Sequence, residues 1–124
     1  MQILLDTHLL LWALAAPSKL SSKARQRIDS CEVFASAASI WEISIKSALG
    51  KLQANPIEVL SGIEPAGFDH LHITGEHAAE VVNLRHLHKD PFDRLLVTQA
   101  LVEKMILLTD DDTLGGYGDV VEVV

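Results

Sequence analysis

The sequence contains a single cysteine, Cys31, and no hydrophobic run long enough to cross a membrane. One thiol cannot form an internal disulfide, and it cannot supply the several sulfur ligands of a cysteine-built zinc site. The longest apolar stretch, LLLWALAA, is well short of the roughly 20 residues that a membrane-spanning helix needs. The N-terminal residues also lack a basic leader followed by an apolar core, because Asp6 interrupts them. We therefore expect a cytoplasmic protein without a membrane segment.

Positive charge is also scarce, since 10 Lys and Arg stand against 17 Asp and Glu and the formal net charge is −7. This balance argues against a simple nucleic-acid binder, which normally carries a basic surface. It does not exclude an enzyme that acts on nucleic acid, because bound cations invert the field around a carboxylate cluster. With 124 residues, 48% of them hydrophobic and 22% charged, the chain has the size and composition of one globular domain, residues 1–124.

Strand-like and helix-like patterns alternate along the chain. Short apolar or alternating runs predict five strands, namely QILL, EVFAS, FDHLHIT, MILL and DVVEVV. Between them, helices are predicted over HLLLWALAAP, SSKARQRIDS, SAASIWEISIKSALGKL, PIEVLSGIE, GEHAAEVVNL and DPFDRLLVTQALVEK. This alternation predicts an α/β protein with three layers, in which helices cover both faces of a central parallel sheet. Active sites of such sheets lie beyond the carboxyl ends of the strands, where Asp6 and Asp110 to Asp112 fall.

Glu42 is an unusual acid, because its neighbours on the predicted helix face are Ala38, Ile45 and Leu49. A carboxylate on an apolar face is costly unless it is paired or bound to a metal. Two interpretations are open at this point. Glu42 either reaches solvent or pairs with Lys46 at the edge of the apolar stripe, or it is a metal ligand.

The other acids have structural explanations of their own. Asp90 can cap the helix that starts at Pro91, and Asp93 lies in its first turn, where the helix dipole favours negative charge. Asp6 and the Asp110–Asp112 triplet each follow an apolar strand, where a turn or cap is common. Together, however, these acids could converge above the sheet. Mg²⁺ and Mn²⁺ take such oxygen ligands, and two ions about 4 Å apart can activate water towards a phosphodiester.

Four motifs carry a resemblance that covers essentially the whole chain: LLDTHLLLW, SIWEISIK, HKDPFDRLLVTQA and LLTDDDTLGGYG. In this order and at this spacing the chain resembles the PIN-domain family, specifically the VapC-like ribonuclease toxins of toxin–antitoxin pairs. The family's four acids would then fall on Asp6, Glu42, Asp93 and Asp111. Asp93 is chosen over Asp90 because the family's acid directly precedes the RLL segment. Asp111 is chosen because the family has Thr, any residue and Asp, which leaves Asp110 and Asp112 as outer or solvated acids.

The resemblance implies a PIN-like fold and an endoribonuclease that hydrolyses RNA phosphodiesters through water activated by Mg²⁺ or Mn²⁺. The four acids would serve as both catalytic residues and metal ligands. It also implies a cognate antitoxin, which in such toxins lies across a groove of N-terminal helices, and a homodimer. Two other functions remain open. One is a PIN-type nuclease with an RNA-processing role or a DNA substrate, and the other is a non-catalytic protein-binding module on the same fold.

Several further residues invite a functional interpretation. Thr7 and Thr109 are candidates to orient carboxylates by hydrogen bonds, although small polar residues are also common in turns. His70 and His72 have a spacing that can ligate zinc, but no further ligands are evident. A positive rim for phosphates is a further hypothesis for Arg85, His86, His88, Lys89 and Arg94. Finally, Leu9, Leu10 and Trp12 lie on a helix that is apolar all round. Either some of them meet a partner or a second copy of the chain, or an ordinary crowded core surrounds this helix.

Overall fold

A computed structural model describes residues 1–124 and has a five-stranded, all-parallel sheet at its centre. The strands are β1 (Gln2–Leu5), β2 (Glu32–Ser36), β3 (Asp69–Leu71), β4 (Ile106–Thr109) and β5 (Val121–Val123). Their order across the sheet is β3-β2-β1-β4-β5. The six α-helices are α1 (Thr7–Ala15), α2 (Ser22–Ser30), α3 (Ala37–Ala48), α4 (Pro56–Ile63), α5 (Gly75–Glu80) and α6 (Pro91–Glu103). The predicted α/β fold with a central parallel sheet is therefore confirmed.

The two faces of the sheet are buried by different helices. In β1, Ile3 and Leu5 pack into a core with α1, α2 and α4, whereas Leu4 points into a second core with α6. Successive strand residues face opposite sides, so both faces of a central parallel strand must be apolar. This requirement explains why QILL and MILL are nearly continuous apolar runs. The result is the predicted arrangement of three layers, α/β/α.

Several helices start at capping residues, among them Asp90, which was predicted from the sequence. Ser21, Ser36 and Asp90 each accept a hydrogen bond from a backbone N–H in the first turn of α2, α3 and α6. Pro91 occupies the first position of α6, where its missing N–H costs nothing. None of the helices has the length and apolar character needed to cross a membrane.

Two segments differ clearly from the predicted secondary structure. The helix expected over GEHAAEVVNL ends at Glu80, and Val81–Asn83 form a 3₁₀ turn, in keeping with the low helix propensity of β-branched valines. The segment Asp112–Val120 forms 3₁₀ turns, although no element was predicted for residues 112–118 and a strand was predicted to start at Asp119. Gly118 breaks them with a φ of 86°, a conformation that glycine adopts readily.

The apolar helix α1 is accommodated largely by the protein itself. Leu9 and Leu10 are both buried in the core, so Trp12 is the one of the three named residues that is left to meet a partner. Trp12 is only half-buried, as are its neighbours Leu11 and Leu14. These three side chains line one wall of a groove between α1 and α4 with a volume of about 690 Å³.

Candidate active site

The candidate site lies where the chain changes direction across the sheet. From the central strand β1 the chain builds outward through β2 and β3, and then returns to place β4 on the other side of β1. Ligands of open α/β sheets bind at such a switch point, beyond the carboxyl ends of the strands. In the pairing of β1 with β4, Leu5 lies opposite Leu108. Asp6, which follows β1, and Thr109, the last residue of β4, are therefore neighbours.

Asp6 is buried, with 5% of its surface exposed. Its Oδ1 accepts the backbone N–H of Leu9 at 2.8 Å and so caps α1, while the Thr109 hydroxyl donates to Oδ2. Burial raises the pKa of the Asp6 carboxyl to about 6, against the opposing effect of these two hydrogen bonds. The negative charge of Asp110 raises the pKa further. Asp6 is thus a rigidly held carboxylate that lacks a compensating positive charge.

Glu42 on α3 is also 5% exposed. The Thr7 hydroxyl donates to its Oε1 at 2.6 Å, and Lys46 Nζ donates to its Oε2 at 2.5 Å. The predicted pairing with Lys46, one turn further along the helix, is therefore confirmed. This pairing raises the pKa of Lys46. It does not remove Glu42 from the site, because Glu42 and Lys46 both line the same cleft as Asp6.

The acids at the start of α6 have different contacts. Asp90 caps the helix through its Oδ1, which accepts the N–H groups of Phe92 and Asp93 at 2.8 and 3.1 Å. Asp93 is held instead by His88, whose Nε2 lies 2.8 Å from Asp93 Oδ2. Burial and then the charge of Asp90 raise the pKa of Asp93, against a lowering effect of His88. Asp90 therefore has the predicted capping role, and Asp93 carries a charge that its surroundings do not balance.

Asp111 is the member of the triplet that reaches the cleft, and Asp110 and Asp112 do not line it. Its backbone N–H donates to Thr109 Oγ1 at 3.0 Å, and its Oδ1 accepts the N–H and hydroxyl of Thr113 at 2.9 and 2.6 Å. The Thr113 hydroxyl lowers the pKa of Asp111. The Thr109 hydroxyl thus contacts both the Asp6 side chain and the Asp111 backbone, which joins the two strand ends.

These side chains surround one polar cleft of about 110 Å³ that no hydrophobic residue lines. Five carboxylates border it together with Lys46 as the only Lys or Arg side chain, and the complete lining is Asp6, Thr7, His8, Glu42, Lys46, Asp90, Asp93 and Asp111. Burial, together with a smaller effect of neighbouring negative charges, raises the pKa values of Asp6 and Asp93. A cleft with this donor set can hold hard divalent cations that take oxygen ligands.

Sequence reasoning misjudged or missed several residues. Arg94 does not belong to a positive rim, since it is 7% exposed and its guanidinium donates to the carbonyls of Arg85 and Leu84 at 3.0 and 3.4 Å. His88 was assigned to the same rim, but it contacts Asp93. The spacing of His88, five residues before Asp93 and outside α6, offered no signal for this contact because the loop conformation decides it.

His70 and His72, whose spacing can ligate zinc, lie close together with one further possible ligand, Glu64, beside them. The rings of His70 and His72 stack with their centroids 6.3 Å apart, and His70 lies 3.6 Å from Glu64. The group of three potential metal ligands whose donor atoms lie within 4.8 Å of one another is a different one, formed by His88, Asp93 and Asp111.

A family model and a known protein match nearly the whole sequence. The PIN domain family model matches residues 3–118. Ribonuclease VapC22 of Mycobacterium tuberculosis (strain ATCC 25618 / H37Rv) is 33% identical over 120 residues, which cover 93% of this chain and 91% of that protein.

Solved structures resemble the fold over nearly the full length. VapBC2 from Rickettsia felis, bound to a DNA fragment from their promoter, has a TM-score of 0.71 at 14% identity and covers 99% of this chain and 98% of its own. FitAcB from Neisseria gonorrhoeae has a TM-score of 0.67 at 20% identity, with coverage of 98% and 96%. A toxin–antitoxin complex from Klebsiella pneumoniae has a TM-score of 0.64 at 17% identity, with coverage of 98% and 96%.

Proposed function

The chain belongs to the PIN domain family, and we propose that it is an endoribonuclease dependent on Mg²⁺ or Mn²⁺ that serves as the toxin of a toxin–antitoxin pair. The observation that carries this proposal is the gathering of Asp6, Glu42, Asp93 and Asp111 around one polar cleft at the switch point of the sheet. The ribonuclease VapC22, which is 33% identical to this chain, supports the choice of RNA as substrate.

The donor set fits Mg²⁺ or Mn²⁺ in both ligand type and charge. The ligands in our proposal are the carboxylates of Asp6, Glu42, Asp93 and Asp111, and both ions favour such oxygen donors. Buried carboxylates at this density are costly without cations, and the raised pKa values of Asp6 and Asp93 reflect that cost. When bound at such carboxylates, divalent cations lower the pKa of water and stabilise the charge of a phosphodiester undergoing hydrolysis.

The protein's own residues prepare the cleft for this chemistry. The hydroxyls of Thr109 and Thr7 orient the carboxylates of Asp6 and Glu42. Lys46 balances part of the charge of Glu42 and offers a cationic group at the cleft, where it can meet a phosphate oxygen. Carboxylates held by preformed hydrogen bonds need little rearrangement when cations and substrate arrive, and this preorganisation favours catalysis.

For the antitoxin, we propose the groove between α1 and α4 as the docking surface. It has a volume of about 690 Å³, and most of its lining is apolar, including Leu11, Trp12, Leu14 and Val59. An amphipathic helix can bury its apolar face in a groove of this kind. Expression of the chain should arrest growth, and co-expression of the neighbouring gene product should relieve the arrest. Replacing Leu11 with Glu should prevent that relief while RNA cleavage by the purified protein persists.

Homodimerisation, which the family resemblance implies, is also part of the proposal. Trp41, Ile57 and Leu60 are 57%, 73% and 46% exposed and surround a second cavity of about 430 Å³. An exposed group of large apolar side chains favours a protein–protein contact. Light scattering coupled to size exclusion should give the mass of a dimer for the wild type and of a monomer for Ile57→Glu. A monomeric wild type would contradict this assignment.

The central experiment measures RNA cleavage by purified, antitoxin-free protein with Mg²⁺, with Mn²⁺ or with EDTA. We expect cleavage with either cation and none with EDTA. Asp6→Asn and Asp93→Asn keep the side-chain shape and remove the charge, so both variants should fold and should lose activity by a factor of about 100 or more. Asp29→Asn is the matched control, because Asp29 is an exposed acid on α2 outside the cleft.

The outcomes separate the possible functions of the fold. Equal residual cleavage in wild type, Asp6→Asn and Asp93→Asn would indicate a contaminating nuclease. Absence of cleavage in a wild type that still binds its antitoxin would favour a non-catalytic binding module. Cleavage of DNA in preference to RNA would overturn the assigned substrate class and leave the metal site in place.

A further inference from the structure

His88 approaches two of the four acids, and the proposed function does not use it. Its Nε2 lies 2.8 Å from Asp93 Oδ2. Donor atoms of His88, Asp93 and Asp111 all lie within 4.8 Å of one another. Octahedral ligands at about 2.1 Å from a cation are separated from each other by about 3 to 4 Å. Small side-chain rotations would therefore bring all three donor atoms to a shared ion.

Thr113 lies on the other side of the imidazole. His88 Nδ1 lies 3.4 Å from Thr113 Oγ1, and the Thr113 hydroxyl donates to Asp111 Oδ1 at 2.6 Å. Because the hydroxyl hydrogen serves the Asp111 carboxylate, Thr113 Oγ1 can accept a hydrogen bond from an Nδ1–H of His88.

The 2.8 Å contact between Nε2 of His88 and Oδ2 of Asp93 is a hydrogen bond, so one proton lies between the two atoms when no cation is bound. A divalent cation bound by both atoms would take the place of that proton, because a ligating imidazole nitrogen and a ligating carboxylate are both unprotonated. The outward Nδ1–H bond to an oxygen is also the usual arrangement of histidines that ligate metals, because it holds the ring orientation and raises the basicity of the ligating nitrogen.

We propose that Nε2 of His88 is a ligand, together with Asp93 and Asp111, of one of the divalent cations of this site. The inference rests on the proposed function, in which the acids hold such cations. A nitrogen donor matters for ion choice, because Mg²⁺ prefers oxygen ligands whereas first-row transition ions also accept imidazole. His88 therefore shifts the preference of the site towards Mn²⁺.

The test uses the full chain and Mn²⁺ or Mg²⁺ alone, without RNA. Pulsed electron paramagnetic resonance of the Mn²⁺-loaded wild type should detect a ¹⁴N coupling of a directly bound imidazole, and His88→Asn should abolish it. In calorimetric titrations the same variant should weaken Mn²⁺ binding by a factor of about 10 or more, with a clearly smaller effect on Mg²⁺. His8→Asn is the matched control, since His8 also borders the cleft and is exposed.

Three results would overturn the assignment: no nitrogen coupling in the wild type, a coupling that survives in His88→Asn, or equal losses of Mn²⁺ and Mg²⁺ affinity. His88→Gln provides a second variant if His88→Asn does not fold, which thermal melting monitored by circular dichroism establishes. Failure of the proposed function is distinguishable. RNA cleavage with Mg²⁺ but no nitrogen coupling would reject His88 alone, whereas nitrogen coupling without cleavage of any nucleic acid would reject the nuclease and retain the ligand.

Discussion

The Thr7 hydroxyl donates a hydrogen bond of 2.6 Å to Oε1 of Glu42, 35 residues further along the chain. Both residues are buried, and the bond connects the first turn of α1 to the middle of α3. The two residues that follow β1 therefore both serve the site. Asp6 lines the cleft, and Thr7 orients a second carboxylate, which comes from a different helix.

Replacing Thr7 with Val should weaken both stability and activity. Valine has nearly the same volume as threonine, so the main change is the loss of the hydroxyl that donates a hydrogen bond to Glu42. A hydrogen bond to a charged, buried group contributes about 1–3 kcal/mol, and we expect a loss of that size in urea unfolding. RNA cleavage should fall as well, because Glu42 is no longer oriented. Thr7→Ser retains the hydroxyl and should stay close to wild type; a serine variant as impaired as the valine variant would contradict this role.

The raised pKa of Asp6 predicts an unusual dependence of stability on pH in the absence of metal. A carboxyl pKa raised from 3.8 to about 6 corresponds to about 3 kcal/mol of native-state destabilisation when the group is ionised. The native state binds this proton more tightly than the unfolded chain does. The stability that the native state gains by binding this proton is therefore fully present below the unfolded pKa, and it is lost as the pH rises through about 6.

Asp6→Asn should remove the cost of ionising this buried carboxyl. It should also keep the cap on α1, since asparagine is a good N-cap. In EDTA, urea unfolding should show the variant to be more stable than wild type by up to about 3 kcal/mol at pH 7.5, with the difference shrinking towards pH 4. Asp29→Asn, on the exposed face of α2, should show no such trend. A stability difference for Asp6→Asn that does not vary with pH would contradict the raised pKa.

Lys46→Gln should destabilise the metal-free protein more than the metal-loaded one. Lys46 Nζ lies 2.5 Å from Glu42 Oε2, and the lysine side chain is 38% exposed while that of Glu42 is 7% exposed. Removing one partner leaves a buried carboxylate uncompensated, which we estimate to cost about 1–2 kcal/mol because the lysine is partly solvated. Bound Mg²⁺ supplies replacement charge, so the cost should be smaller when melting is measured in Mg²⁺ than in EDTA. An equal cost in both conditions would show that the cation does not compensate the charge of Glu42. Lys51→Gln is the control, because Lys51 is an exposed lysine.

Arg94→Lys should destabilise the protein although the charge is retained. The buried guanidinium donates to the carbonyls of Arg85 and Leu84, in the segment that leads to His88. A lysine cannot reproduce this fork of donors, so we expect a loss of about 2 kcal/mol or more in urea unfolding. Arg25→Lys is the matched control, since Arg25 bonds the Pro17 carbonyl on an exposed surface and should change stability by less than about 0.5 kcal/mol. Equal effects of the two substitutions would exclude a special role for Arg94.

Most secondary structure could be read from local patterns because its causes are local. The apolar run before Asp6, the serine before α3 and the Asp90-Pro91 pair before α6 mark element boundaries through side-chain burial and capping. The turns over Asp112–Val120 could not be read in this way. Their conformation depends on the burial of Leu114 and Tyr117 against the core formed with α6, which is a tertiary effect.

The candidate acids of the site could be named from the sequence, because the four motifs that contain them resemble those of the PIN-domain family. Which acids meet, and through which contacts, was decided by tertiary structure. Asp6 and Thr109 are 103 positions apart and touch only because β1 and β4 pair in the register that sets Leu5 opposite Leu108. The packing of the helices on this sheet also places Asp111 at the cleft and His88 beside Asp93. It buries Arg94 against the segment that contains Arg85. Capping and burial preferences act over a few residues, whereas these contacts require the complete sheet and the helices packed on it.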